Sequence, residues 1–159
     1  MISGFDYGTS NCAVGVSAED SETVKLLALE NEKPFMPSML YALDRDLICE
    51  HVGLAIPSPN LRDFFISSRS NQLARARGVR REEGFSQDEQ SVFVGQEAFE
   101  EYIQWPGEGY FVKSPKSFLG ASGLVDAQIN LFEDIVAAMM SNIKTLAEQA
   151  KQGEINKTV

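Results

Sequence analysis

The sequence predicts an α/β fold: a sheet that opens with a β-hairpin meander and is covered by a long helix. Three observations predict it. Two β-prone runs, residues 2–7 and 12–16, flank Gly8-Thr9-Ser10-Asn11, which is turn chemistry, so the chain begins as a hairpin. Residues 23–29 supply a third strand after one polar turn, and three strands on short turns make an antiparallel meander. From about residue 123 to 150, Ile129, Val136, Ile143 and Ala150 recur at heptad spacing with Phe132, Met139 and Leu146 between them, the stripe of a helix that covers a sheet face.

The intervening elements follow in order. Residues 31–37 carry two prolines and read as an extended loop, and residues 38–43 resume as a strand. Residues 44–46 break that strand, and 47–56 are too mixed to assign. Pro57-Ser58-Pro59-Asn60 is a stop followed by a helix start, with Asn60 as N-cap and Asp63 in the first turn. That helix is expected over 61–77 with Gly78 as its left-handed terminator, and with Leu61, Phe64, Phe65, Leu73 and Ala76 as its apolar face. Arg69, Arg75, Arg77, Arg80 and Arg81 gather at its end, where cations favour the helix dipole and solubilise the surface. Residues 82–90 are expected as loop, 91–94 as strand, and 96–104 as a helix turning Ala98, Phe99, Tyr102 and Ile103 inward. Residues 105–109 end it, 110–112 are extended, and 154–159 begin another apolar segment.

The chain has 159 residues, 43% of them hydrophobic and 23% charged, an ordinary balance for a globular domain. Its net charge of -9 argues against nucleic acid as a partner, because a phosphate backbone calls for a basic surface. No apolar run approaches a membrane span and no basic flank precedes an apolar core at the start, so neither membrane nor secretion is expected. Cys12 and Cys49 lack metal-ligand spacing and read as buried thiols of a reducing compartment, which makes the cytoplasm the expected address. His51, the only histidine, has no partners for a triad or an imidazole metal site.

The hairpin turn carries the chemistry. Successive amides in a tight turn form a concave nest for phosphate oxygens, and the hydroxyls of Thr9 and Ser10 extend it without adding charge. Gly8 permits a positive φ there. Asp6 places a carboxylate beside this cradle, a repulsive arrangement unless a cation intervenes. Mg²⁺ does so, using one or two carboxylates, phosphate oxygens and retained waters. A surface hairpin whose Asp and Thr satisfy only their own turn fits the bare pattern as well.

Asp6-Tyr7-Gly8-Thr9, after an apolar entry and before a second strand, resembles the first phosphate loop of the actin-like (ribonuclease H-like) ATPase superfamily. Three further pieces resemble the nucleotide-binding domain of DnaK-type, seventy-kilodalton heat-shock chaperones in the same order. They are Pro37-Ser38-Met39-Leu40, Val94-Gly95-Gln96-Glu97-Ala98 and Pro115-Lys116-Ser117-Phe118-Leu119-Gly120, and Asn156-Lys157-Thr158-Val159 resembles the approach to the next strand. The longer wording around Lys116 is most similar to the YegD-like branch of bacterial chaperones. The resemblance implies the first lobe of an actin-like fold, a mixed sheet with an inserted α+β subdomain. Residues 1–37 and 123–159 form its base, and 38–122 form the insertion, which is enlarged by an arginine-rich helical stretch at about 44–91. It implies ATP and Mg²⁺ as cofactors, with Gly8, Thr9, Ser10 and Asn11 on the phosphates, Asp6 on Mg²⁺ through water, and Lys116 as the catalytic lysine that stabilises charge at the β/γ-phosphates. Lys113 is its competitor three residues earlier. Asn11 stands where many of the chaperones have an aromatic residue.

The second phosphate loop, the adenosine segment and the substrate-binding domain of that family have no counterpart in the sequence. The expectation is therefore an N-terminal fragment that binds ATP or ADP weakly, turns nothing over by itself and self-associates through a lobe face left exposed. Protein clients or cochaperones are the partners the resemblance implies. Two other readings stay open: a sugar or small-molecule kinase of the same superfamily, and a non-catalytic interaction module working through the arginine-rich stretch.

Overall fold

A computed structural model describes residues 2–17, 23–118, 120–155 and 158. The chain is mixed α/β, with antiparallel sheets and five α-helices among those residues. Strand β1 (Ile2–Tyr7) pairs antiparallel with β2 (Asn11–Ser17), from Ile2 opposite Ser17 to Tyr7 opposite Cys12. β3 (Val24–Leu26) pairs with the far half of β2, and β4 (Met36–Pro37) with its near end, where Asn11 faces Pro37. The meander is therefore present, although its third strand is shorter than the expected 23–29. On the free edge of β1, Ser3 and Thr158 form a parallel bridge, their hydroxyls 2.9 Å apart. The rest of the expected strand approach, Asn156, Lys157 and Val159, lies outside the described residues, as do Leu119 and residues 18–22 of the polar turn.

Strand alternation puts Phe5, Tyr7, Cys12 and Val14 on one face, where α5 (Asp126–Lys151) covers them with Ile135, Ala138, Met139, Ile143 and Ala147. The Tyr7 hydroxyl reaches Met139 Sδ at 3.5 Å. The buried stripe of α5 is rotated from the expected one. Met139 and Ile143 belong to it, but Ile129 is 40% exposed and Ala150 is exposed, because the sheet and α1 meet the Ile135–Ala138 side instead.

A second antiparallel sheet has β5 (Met39–Ala42) at its centre, between β6 (Val92–Val94) and β7 (Tyr110–Lys113). Leu40, Ala42, Val92, Val94 and Val112 face inward and continue the core begun by the first sheet. Their neighbours Tyr41, Phe93 and Phe111 face outward, where α4 (Gln96–Gln104) packs Ala98 against them and stacks Tyr102 on Phe111 at 4.3 Å. α4 has the bounds the sequence predicts. Of the four side chains expected to turn inward only Ala98 is buried; Phe99, Tyr102 and Ile103 are exposed.

The helices between β5 and β6 depart from expectation. Of residues 47–56, unassigned from sequence, all but Ile56 lie in α1 (Asp46–Ala55), which buries Leu47, Ile48, Cys49 and Val52. Asp44, expected to break structure, starts this helix: its carboxylate accepts the Asp46 N–H at 2.7 Å. The single helix expected over 61–77 is two helices, α2 (Pro59–Ser68) and α3 (Ser70–Glu83). Ser58 rather than Asn60 precedes the first turn, and Gly84 rather than Gly78 is the left-handed terminator. The break falls at Arg69, whose backbone leaves the helical region (φ -113°, ψ 19°) while its guanidinium reaches α5, 2.7 Å from Glu133 and 3.3 Å from Asp134. α2 consequently buries no residue, and Leu61 and Phe64, expected on an inward face, are exposed.

The arginines do more than solubilise a helix end. Arg75 pairs with Asp46 at 3.1 Å, and Arg80, only 8% exposed, pairs with Glu50 and donates to Ser86 O and Ser91 Oγ. Arg69, Arg75 and Arg80 thus clamp the helices to α1, α5 and the loop before β6.

Also on α1, burial pushes the His51 imidazole below its ordinary value of 6.5. Because the folded chain holds that proton less tightly than the unfolded chain, His51 contributes no penalty above pH 6.5 and costs stability as pH falls below it. Urea unfolding of wild type and His51→Gln should show the wild type losing more stability on acidification below about 6.5. Parallel curves for the two would contradict the assignment.

Candidate functional site

The turn that joins β1 and β2 runs from Gly8 through Ser10 to Asn11, the first residue of β2, and is closed by the Tyr7–Cys12 pair. Thr9, Ser10 and Asn11 are exposed, as is Asp6 on the last turn-side stretch of β1. Gly8 is required for a reason other than the expected one. Its φ is not in the left-handed region; instead a Cβ there would collide with the Asn11 carbonyl oxygen, so the tightness of the turn demands glycine.

Ser38 holds the turn from behind. It is 1% exposed between β4 and β5, donates its N–H to Ser10 O at 2.9 Å and its hydroxyl to Gly8 O at 2.8 Å, and lies 3.3 Å from Cys12 Sγ. Peptide planarity then fixes the other side of the turn. All peptides here are trans, so the N–H groups of Thr9 and Asn11 point opposite to the Gly8 and Ser10 carbonyls, away from Ser38.

The Ser38 carbonyl accepts the N–H of Ser114 at 2.9 Å, which joins the turn to the lysine segment. Ser114 has φ 58°, a left-handed conformation uncommon for a residue with a side chain and one that concentrates at functional sites. A 3₁₀ turn, Pro115–Phe118, follows, with the Ser117 N–H and hydroxyl both donating to Ser114 O. Pro115 is buried and Lys116 is exposed at its apex. Lys113, the competitor, ends β7 opposite Met39.

Asp6 and Lys116 act in opposite directions on the Cys12 thiol. Burial pushes the Cys12 thiol up, hydrogen bonds from Ser38 and the Gly8 backbone draw it down, and then Asp6 raises it and Lys116 lowers it. The hydrogen bonds of Ser38 thus join the turn to Ser114, two residues before Lys116. Ser38 is the residue that sequence reasoning missed as part of the site. Its signal was the Pro37-Ser38 strand entry, read for its place in the chain and not for its hydrogen bonds.

Among the described residues no group of three or more His, Cys, Asp or Glu side chains could hold a metal. A lone Asp6 carboxylate still suits Mg²⁺ bound largely by waters and phosphate oxygens. No described helix is long and apolar enough to cross a membrane. No family model matches the chain, and no solved structure matches it.

Proposed function

We propose that this chain is the N-terminal part of the ATP-binding domain of a DnaK-like, YegD-like chaperone ATPase, in the actin-like fold, and that it contributes the phosphate and lysine side of an MgATP site. The observation that supports the reading is the path of hydrogen bonds from Gly8 and Ser10 through Ser38 to Ser114, two residues before Lys116. The parallel bridge of Thr158 to Ser3 after a covering helix agrees with it.

MgATP, when bound, supplies the phosphoryl group whose transfer to water would drive conformational change in the complete protein. This chain's residues have four tasks. The amides of Thr9 and Asn11, with the Thr9 and Ser10 hydroxyls, orient phosphate oxygens. Gly8 keeps the turn tight enough for those amides to converge. Asp6 holds Mg²⁺ through water. Lys116, a compact charge on a flexible stem, neutralises charge at the terminal phosphates. Protein clients or cochaperones are partners of the same reading, and the cytoplasm is its compartment.

If the chain grips phosphate but buries little adenine, MgATP and magnesium tripolyphosphate should compete for it with affinities within about threefold, in the millimolar range, while adenosine does not compete. Lys116→Ala should weaken both about tenfold, since it removes one charge-assisted contact. Displacement by adenosine, or indifference of both ligands to Lys116→Ala, would refute the assignment.

A further inference from the structure

The second sheet has an outward face that the core does not use, and beside α4 this face opens into a cleft of about 570 Å³. Tyr41 and Phe93, nearly buried with rings 6.2 Å apart, form its floor. Phe85 and Trp105 also line it, Trp105 being 52% exposed at the rim. Every charged residue lining the cleft is acidic: Asp44, Glu83, Glu89, Glu101 and Glu108.

Among the described residues those carboxylates pair with no cation. The ion pairs among the described residues use Glu133, Asp134, Asp46, Glu50 and Glu148, none of which lines the cleft. Asp44 and Glu89 accept backbone N–H groups from Asp46 and Ser86. The field reaches the floor: burial, and after it Glu101 and Glu108, push the Tyr41 hydroxyl up. Tyr41 is also fixed in place, its hydroxyl 3.4 Å from Glu108 O and packed so closely on Gly109 that a Cβ there would lie 2.5 Å from it.

Aromatic faces beside unpaired carboxylates suit a guanidinium, which stacks on rings and pairs with carboxylates in a planar fork. An enclosed pocket would suit a small cation, because small ligands are buried over most of their surface. This cleft is open at Trp105 and carries several separated charges, which suits an extended chain bearing more than one cation. The geometry points to this cleft as a docking site for an arginine-bearing extended segment of a partner protein. It shares no residue with the Gly8–Asn11 turn and does not depend on the nucleotide reading.

Trp105 is the chain's single tryptophan, so its emission reports directly on the cleft. The full chain is titrated at low salt with a short peptide of alternating arginine and glycine, and in parallel with spermine. The peptide should shift the Trp105 emission and saturate, and Glu101→Gln/Glu108→Gln should weaken it about tenfold. Glu32→Gln/Glu154→Gln, which removes the same charge from exposed positions outside the cleft, should bind as wild type does. Urea midpoints confirm that both double variants fold. Three results would overturn the proposal: no change in Trp105, equal weakening by both double variants, which marks attraction to net charge alone, or spermine binding as tightly as the peptide.

Discussion

Replacing Arg80 with methionine should destabilise the chain by about 3–5 kcal/mol in urea unfolding, the cost of stripping one partner from a buried ion pair. Arg80 is nearly enclosed and makes three kinds of contact at once: Nε to Glu50 on α1, Nη1 to the Ser86 carbonyl, and Nη2 to Ser91 Oγ at 3.2 Å. Methionine would fill part of the space and leave Glu50 as a half-buried charge without a cation, with Ser91, itself buried, short of a donor. Arg81, one residue on and exposed, is the control, and Arg81→Met should stay within about 0.5 kcal/mol of wild type. Adding Glu50→Gln to Arg80→Met should recover part of the loss, because removing both charges avoids the orphaned one. Equal stability of the Arg80 and Arg81 variants would mean that the clamp between α1, α3 and the loop before β6 contributes nothing.

The second large effect lies at Gly95, the link between β6 and α4. Its φ of 72° with ψ of -136° belongs to a region almost restricted to glycine, and a Cβ would meet the Glu30 carboxylate and Met36 Cγ. Glu30 cannot simply withdraw, because both its oxygens accept the Gln96 N–H, at 3.1 and 3.2 Å, where the positive end of the α4 dipole favours a carboxylate. Gly95→Ala should therefore cost about 3–5 kcal/mol, from backbone strain of about 1–3 and overpacking of about 1–3. Gly84→Ala isolates the backbone part: φ there is 75°, but nothing lies within 4 Å of the added methyl, and the expected loss is about 1–2 kcal/mol. Comparable losses at the two sites would show that Glu30 and Met36 yield to the methyl without cost.

What could be read from the residues divides along the range of the interactions. The N-terminal hairpin, β6, α4 and the existence of α5 are written in local periodicity and turn chemistry, and these appear where the sequence puts them. α1 was hidden because Asp44, which caps it, also looks like a strand breaker. The split between α2 and α3 depends on Arg69 reaching Glu133 and Asp134 some 64 and 65 residues away, which no local pattern encodes. Gly78 passes through the interior of α3 since a glycine there costs only about 1 kcal/mol against alanine, and a helix held by Ala76 and Arg80 absorbs that. The same division holds for the candidate site. The types at Asp6, Gly8, Thr9, Ser10 and Asn11 fit a phosphate turn or a plain surface hairpin, and Lys116 enters only through the resemblance, whereas Ser38, which ties the turn to the lysine segment, acts through bonds to residues 28 and 30 positions before it.

The nucleotide reading is tested most directly by following backbone amide resonances of the full chain while MgATP is added. The account predicts progressive shifts concentrated at Thr9, Ser10 and Asn11 and at the Ser114 to Ser117 turn, with the response at the first group reduced by Lys116→Ala. Amides of residues 9–11 that stay unmoved at saturating MgATP, or shifts gathered on another face of the molecule, would contradict it.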